Sequence, residues 1–401
     1  MRVTIKKGIA NGIINAQPSK SFSHRLLIAA ALSNKESVVK NIVLSNDVVA
    51  TINCLKVLGN QISYDGNNVV IKKIDNFKLP DELVFDCYES GSTLRFFIPI
   101  ALTTGKKLIF KGTKKLISRG IGVYQEICEK QNIKVIINEE EIIFNGKLKP
   151  SKFEVVGNIS SQFISGLLFA LPLLNDQSDL VVTTELESKN YIDMTIDVLK
   201  LSNIKILEEE NSYKILKKQS YSGGEFVVEG DYSNASFLDC LNYLGGCVII
   251  NGLNPLSKQG DKVYQDLFNS LNNNNCCIDL KNCIDLGPIL FAFSSLKNGA
   301  KFINTKRLEI KESNRVLDLK EELEKFGIEV VVSNNQVDIN NHDIHAPKEI
   351  LNGKNDHRIV MALAIMLTIY GGTIEGAEAI NKSYPSFFKD LESLGIEVLY
   401  E

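Results

Sequence analysis

An α/β chain of two domains, each made of three related units, is predicted by three features: helices that stop at Gly or Asn and run into strands, polar turns that open into apolar helices, and a length of 401 residues that exceeds one comfortable core. The first feature reads L-K-V-L-G-N-Q-I-S at 55–63, E-K-Q-N-I-K-V-I-I at 129–137, L-K-L-S-N-I-K-I-L at 199–207, L-E-K-F-G-I-E-V-V-V at 323–332 and L-E-S-L-G-I-E-V-L-Y at 391–400, with a degenerate copy at 266–278. Gly or Asn at such a stop supplies the left-handed residue that ends a helix. The second feature starts at K-S-F-S-H-R (20), E-S-G-S-T-L-R (89), I-S-S-Q-F (159), D-Y-S-N (231), I-D-L-G-P (284) and N-D-H-R (355). Six starts pair with six stops, at intervals of about 70 residues with one shorter interval. The stretches 62–73 and 330–340 alternate around turn residues and read as hairpins. Three units per domain put a seam near Gly230, and the strand at Arg2 to Ile9 could pair with either half.

Composition excludes several classes. With 44% hydrophobic and 23% charged residues and a net charge of -3, the chain is neither disordered nor fibrous. Its longest apolar runs, Ile359–Tyr370 and Phe163–Leu174, are about half the roughly 20 residues needed to span a bilayer, and they read as buried helices. The first residues alternate apolar and charged and carry no secretory signal, so a cytoplasmic location is expected. Eight cysteines lack a C-x-x-C spacing and read as reduced thiols; Cys276, Cys277 and Cys283 cluster, but adjacent cysteines rarely address one ion, so no metal site is expected. The absence of a long basic run argues against nucleic acid. No Walker A sequence and no G-x-G-x-x-G supports a nucleotide.

Lysine is the default cation here: of 45 Lys and Arg only seven are Arg, at 2, 25, 95, 119, 307, 315 and 358. Arg25, Arg95, Arg119, Arg315 and Arg358 stand beside Gly, Ser or Asp, where a planar fork suits carboxylate or phosphate. Helix starts add unpaired N–H groups and the positive end of the macrodipole. Lys20, Ser21 and Arg25 form one such set, Ser92 and Arg95 a second, and Ser160, Ser161 and Gln162 a third; each is richer in donors than capping requires. Asp285, Glu312 and His357 are the acid–base candidates; Asp285 reads equally well as an N-cap, Glu312 as a helix-surface partner, and His357 as a structural hydrogen bonder.

Taken in order, K-S-F-S-H-R, G-S-T-L-R, I-S-R-G-I-G, S-S-Q-F, S-K-N-Y-I-D, K-E-S-N-R, N-D-H-R and K-S-Y-P-S-F resemble the 5-enolpyruvylshikimate-3-phosphate synthase family, over nearly the whole chain. The resemblance implies a two-domain inside-out α/β barrel of six βαβαββ repeats, with 1–17 and 230–401 forming one domain, 18–229 the other, crossings near Pro18 and Gly230, and an active site in the cleft between them. It implies transfer of the enolpyruvyl group of phosphoenolpyruvate to the 5-hydroxyl of shikimate 3-phosphate by a monomer, without metal or organic cofactor. These small molecules are the only partners expected, with neither nucleic acid nor membrane.

Carried over by motif, Lys20, Gly91, Arg119, Gln162, Arg315, Arg358 and Lys382 would bind phosphoenolpyruvate. Lys20, Ser21, Arg25, Ser160, Ser161, Gln162, Ser188, Tyr191, Asp285 and Lys311 would bind shikimate 3-phosphate. Asp285 would deprotonate the attacking hydroxyl, Glu312 would move a proton at the methylene carbon, and Lys20 completes the catalytic set. The chain departs from the family where it reads Glu89-Ser90-Gly91 in place of the usual Asn and Ala or Ser before the glycine. That carboxylate bears on phosphoenolpyruvate affinity and on the response to glyphosate, which competes in this pocket within the family. Two rival readings are weighed. The sister transferase acting on UDP-N-acetylglucosamine carries a reactive Cys in the loop that here spans Lys114 to Gly122 without one. A non-catalytic anion binder would gain nothing from Asp285 and Glu312 beside its ligands.

Overall fold

A computed structural model describes residues 1–340 and 343–401, and they divide into two compact units, Pro18–Glu229 and Met1–Gln17 with Gly230–Glu401. The two buried apolar clusters follow the same division, one drawn from Phe22 to Val228 and the other from Val3 to Ala10 and Tyr232 to Val398.

The unit 18–229 carries helices α1 (Lys20–Leu32), α2 (Asn46–Val57), α3 (Gly91–Leu102), α4 (Lys114–Ser118), α5 (Gly122–Lys130), α6 (Ser161–Ala170) and α7 (Lys189–Leu201). The other unit carries α8 (Tyr232–Tyr243), α9 (Tyr264–Ser270), α10 (Gly287–Ser295), α11 (Arg315–Glu324), α12 (His357–Tyr370) and α13 (Phe387–Ser393). Helices α1, α3, α6, α8, α10 and α12 are mostly buried; α3, α6, α10 and α12 are apolar around most of their circumference, whereas α1 buries Ser23, His24 and Arg25 and α8 buries Ser233, Asn234 and Ser236. Helices α2, α5, α7 and α11 bury one face only. The apolar runs Phe163–Leu174 and Ile359–Tyr370 are accordingly core helices, and no helix among the described residues is long and apolar enough to cross a membrane.

Each of five sheets has four strands among the described residues, a parallel pair followed by two antiparallel strands; in three of them the pair comes from one βαβ crossover and the other two strands are a hairpin, while Ser37–Lys40 takes its parallel partner from the distant Glu225–Val227 and the sheet of Leu351–Asn352 and Gly372–Glu375 is completed by Arg2–Ile5 and Val398–Tyr400. In one of them Glu82–Asp86 lies parallel to Lys107–Lys111, which pairs antiparallel with Glu141–Asn145, and Lys134–Ile137 closes the edge. The hairpins expected at 62–73 and 330–340 are present, with Asp65 opposite Asn68 and Ser333 opposite Gln336. The helix stops at Gly59, Asn132, Asn203, Gly327 and Gly395 all have φ between 55° and 90°. The sixth unit is the degenerate one: Asn11–Asn15 pairs with Cys247–Asn251, and that sheet has two strands among the described residues. The shorter interval in the sequence is this missing hairpin. The strand Arg2–Ile5 takes its place in the sheet of Gly372–Glu375 and Val398–Tyr400, which resolves its pairing in favour of the unit containing 230–401.

One close approach orders the first of these cores. Pro99 inside α3 has no N–H to give the Arg95 carbonyl. The buried Tyr124 hydroxyl donates to that carbonyl at 2.6 Å and to the Phe163 carbonyl at 3.1 Å, tying α5 to α3 and α6. A Cβ at Gly166 would stand 2.4 Å from both the Arg95 oxygen and the Tyr124 hydroxyl, so only glycine lets α6 approach. Phe110, fully buried, stacks on Phe85 at 4.7 Å and meets Phe144 edge-on at 5.9 Å. Phe110→Ala should therefore cost about 3–5 kcal/mol of stability, read as a lower denaturant midpoint; an unchanged midpoint would contradict this packing.

Candidate active-site residues

Capping chemistry differs between the units. In 18–229 the inner helices α1, α3 and α6 are capped by Ser19, Ser90 and Ser160, whose hydroxyls accept from the N–H groups of Phe22, Thr93 and Gln162. In the other unit α8 and α12 are capped by the carboxylates of Asp231 and Asp356. Asp285 is not a cap: it lies in the 3-10 turn Ile284–Leu286 that precedes α10, and the capping position is Leu286. Its carboxylate meets several side chains.

Those side chains are cations. Arg315 NH1 donates to Asp285 Oδ1 at 3.0 Å, Lys311 Nζ stands 3.2 Å from the same oxygen, and Arg358 NH2 stands 3.4 Å from Oδ2. Arg358 NH1 also donates to the Asp285 carbonyl at 3.2 Å. The Arg315 side chain is 1% exposed; its Nε donates to Asp356 Oδ2 at 2.8 Å, and its NH2 donates to Glu312 Oε2 at 2.7 Å and to Asp356 Oδ1 at 3.2 Å. A ligand reaching Arg315 would meet NH1 or NH2, where Asp285 and Glu312 stand. Burial works against the Arg315 charge, but Asp356, Glu312 and Asp285 outweigh it and push its pKa up. Burial lowers the Lys311 pKa, against the pull of Asp285. Lys382 is buried and donates to the Asn355 carbonyl at 2.6 Å, next to Asp356. Asp285, Lys311, Glu312, Arg315 and Arg358 are thus one connected cluster. His357 is buried with its Nδ1 3.9 Å from Asp356.

In 18–229 Lys20 Nζ pairs with Asp47 Oδ2 at 3.0 Å, and most of the other positions fall into two groups. In the first group, a Cβ at Gly91 would lie 3.0 Å from Arg119 NH1; Gln162 Nε2 donates to Ser92 Oγ at 2.9 Å and its Oε1 accepts from Arg95 NH1 at 2.7 Å. In the second, buried Arg25 donates to the Thr195 hydroxyl at 2.8 Å and to the Ser21 and Tyr191 carbonyls at 2.8 and 3.0 Å, with its guanidinium over the Phe96 and Tyr191 rings. No carboxylate among the described residues pairs with Arg25; burial brings its pKa down to about 10, with Tyr191 acting the other way. Ser161 is buried at the start of α6, Ser160 is half-buried, and Ser188 precedes α7 in the left-handed region at φ 53°.

Sequence reasoning passed over Asp356, Asp47 and Asp261. Asp356 stood in N-D-H-R, with N-cap position as its only signal. Asp261 is 3% exposed and accepts from the Ser233 hydroxyl. Burial and the nearby Asp285 push its pKa up to about 7, against the opposing pull of Arg358. Cys276 and Cys283 hydrogen bond to Ser270 and to the Asp279 carbonyl, and no group of three metal-ligating side chains occurs among the described residues.

A family model described as EPSP synthase (3-phosphoshikimate 1-carboxyvinyltransferase) matches residues 5–391. The 3-phosphoshikimate 1-carboxyvinyltransferase of Clostridium novyi is 39% identical, covering 96% of this chain and 95% of that protein. The protein so named from Brachyspira hyodysenteriae is 38% identical with full coverage of both. In fold the chain is similar to the EPSP synthase of Acinetobacter baumannii, at a TM-score of 0.78 over the whole of both chains with 18% identity. It is also similar to the enolpyruvyl transferase NikO of Streptomyces tendae, at 0.79 with 13% identity, covering 100% of this chain and 98% of that one.

Two outcomes follow from the electrostatics. An acid whose folded pKa is raised binds more protons in the native state, so its contribution to stability falls as pH rises from the unfolded value near 4 to about 7 and stays lost above. Asp261→Asn should remove that slope, read from denaturant unfolding across this window; an identical pH dependence would refute the assignment. Asp356→Ala removes the only fully buried carboxylate on Arg315 among the described residues, with the Nε bond and one of the NH2 bonds, and should cost up to about 3–5 kcal/mol, read from unfolding at neutral pH; a loss within experimental error would show that Asp285 and Glu312 suffice.

Proposed function

The chain belongs to the EPSP synthase (3-phosphoshikimate 1-carboxyvinyltransferase) family, and from that premise we propose that it transfers the enolpyruvyl group of phosphoenolpyruvate to the 5-hydroxyl of shikimate 3-phosphate, releasing phosphate, in aromatic biosynthesis. The observation that carries the division of labour is the Arg315 fork, which holds two partly exposed carboxylates, Asp285 and Glu312, at 3.0 and 2.7 Å. Addition requires a base for the hydroxyl and an acid for the methylene carbon, so two carboxyl groups with unlike neighbours suit it.

Asp285 takes the hydroxyl proton as the oxygen attacks the enol carbon, and Glu312 delivers a proton to the methylene carbon. Glu312 then takes a proton back from that carbon as the carbon–phosphate oxygen bond breaks, restoring the double bond, and Asp285 passes the hydroxyl proton to the departing phosphate. The transfer is redox-neutral, and each proton has a carboxylate to carry it. Lys311 and Arg358, in contact with Asp285, favour its ionised form and face the incoming anions.

The unit 18–229 supplies binding charge. Arg25 donates only to hydroxyl, carbonyl and ring acceptors among the described residues, so its charge remains for the shikimate phosphate, with Ser21 and Tyr191 beside it; Ser160, Ser161 and Ser188 complete the set assigned to that substrate. Lys20, Gly91, Arg119 and Gln162 take phosphoenolpyruvate together with Arg315, Arg358 and Lys382. Two multiply charged anions repel one another, and forks plus hydroxyl-capped helix starts offset that repulsion.

Phosphate release should require shikimate 3-phosphate and phosphoenolpyruvate together; turnover only when UDP-N-acetylglucosamine replaces shikimate 3-phosphate would overturn the proposal. Asp285→Ala should lower kcat about 10²–10⁴-fold while binding of the phosphate ester survives, and an unchanged rate would remove its role. Gly91→Ala places a methyl group 3.0 Å from the mobile tip of Arg119, so KM for phosphoenolpyruvate should rise without a change in melting temperature. Equal increases in both KM values would contradict the placing of Gly91 on the phosphoenolpyruvate side.

A further inference from the structure

Four polar side chains, none more than 1% exposed, run in a line from α1 through α2 to the start of α3: His24, Thr51, Thr93 and Ser90. His24 Nδ1 is 2.7 Å from Thr51 Oγ1, Thr51 Oγ1 is 2.7 Å from Thr93 Oγ1, and Thr93 Oγ1 donates to Ser90 Oγ at 2.8 Å. A hydrophobic core gains nothing from such groups that apolar ones of similar size would not provide. What the line adds is direction.

The protons can be followed from the α3 end. Ser90 Oγ accepts the Thr93 N–H at 3.2 Å as well as the Thr93 hydroxyl. The Thr93 proton being used there, its oxygen must accept from Thr51. Thr51 must in turn accept from His24, so the ring is neutral with its proton on Nδ1. Burial, with Lys20 and Arg25 nearby, disfavours the charged ring. Nε2 is buried without a hydrogen-bond partner among the described residues, so the ring is held from one side only.

Helix α2 grips its neighbours twice on one face. Asp47, four residues before Thr51, holds the Lys20 ammonium at 3.0 Å; Thr51 joins His24 of α1 to Thr93 of α3. Lys20 opens α1 and Gly91 opens α3, and these are the two starts assigned above to phosphoenolpyruvate. We propose that His24 and Thr51 are positioning residues which set the start of α3, with Gly91 and Ser92, at a fixed place relative to Lys20, and so tune the grip on phosphoenolpyruvate without touching it. The proposal rests on the function assigned above.

Thr51→Val removes the central hydroxyl at nearly constant volume, and Thr51→Ser keeps it. In the full chain, Thr51→Val should raise KM for phosphoenolpyruvate about tenfold, the effect of roughly 1.4 kcal/mol, while KM for shikimate 3-phosphate stays within about twofold. Thr51→Ser should restore the wild-type value. Equal rises in both KM values, or a lower melting temperature with neither KM changed, would overturn the proposal. A readout without turnover separates it from the function itself: the Gly91 and Ser92 amide resonances should move in Thr51→Val and return in Thr51→Ser, and unmoved amides would overturn it whatever the wild-type chain catalyses. Should Thr51→Val not fold, the ring ¹⁵N spectrum of the wild-type chain decides, since it has four histidines: His24 should be the Nδ1–H tautomer, and an Nε2–H or cationic ring would overturn the proposal.

Discussion

A single buried guanidinium organises the unit that contains 230–401. Desolvating Arg315 is tolerable only because three carboxylates surround it, and they differ in exposure: the Asp356 side chain is 0% exposed, Asp285 17% and Glu312 18%. The inner carboxylate is committed to the fork, to the Arg358 N–H at the start of α12 and to the Ser313 hydroxyl. The outer two reach solvent and can exchange protons with a ligand. One cation therefore anchors a helix start and holds the acid–base pair, so a change at Asp356 is felt at Asp285 and Glu312 through Arg315.

Arginine is used differently in 18–229. Arg25 and Arg95 are as buried as Arg315, yet they donate to hydroxyl, amide and carbonyl oxygens and lie over the Phe96 and Phe163 rings. Neutral acceptors satisfy the hydrogen bonds without cancelling the charge. The field from Arg25 consequently remains available to an anion, at the expense of a pKa lowered by burial. In a chain that uses lysine on its surface, keeping Arg for these places is consistent with a requirement for fork geometry.

Much of the fold was legible because its signals are local. Helix stops at Gly59, Asn132, Asn203, Gly327 and Gly395 need a left-handed residue, and Gly or Asn announces it within a few positions. The candidate cluster was legible only as a set of charged residues beside turns. Arg315 and Asp356 are 41 positions apart, and Arg315 and Asp285 are 30 apart. No period or motif distance encodes such pairs, so the carboxylates that hold the Arg315 fork could not be named from the sequence. The two readings of Asp285 stayed open for a related reason: Asp before an apolar helix is the usual form of a cap, and the 3-10 turn that separates it from α10, with Pro288 in the first turn of that helix, has no sequence signal of its own. Thr51 and Asp47 gave no signal at all, since polar residues on one face of an amphipathic helix read as solvent-facing.

The capping residues show how one repeated unit yields two chemistries. A helix start presents partial positive charge whatever its sequence, and the cap decides whether that charge stays available. A serine cap satisfies an N–H with a neutral oxygen and leaves the dipole uncompensated, as at Ser19, Ser90 and Ser160. An aspartate cap neutralises the same end and brings a full negative charge that can recruit a guanidinium, as Asp356 recruits Arg315. Serine-capped starts thus favour anions, whereas the aspartate-capped start of α12 builds a carboxylate–arginine network in which other carboxylates can be held ready for proton transfer. At α10 the backbone changes as well: a 3-10 turn precedes the helix, Leu286 takes the capping position, and the turn carries Asp285.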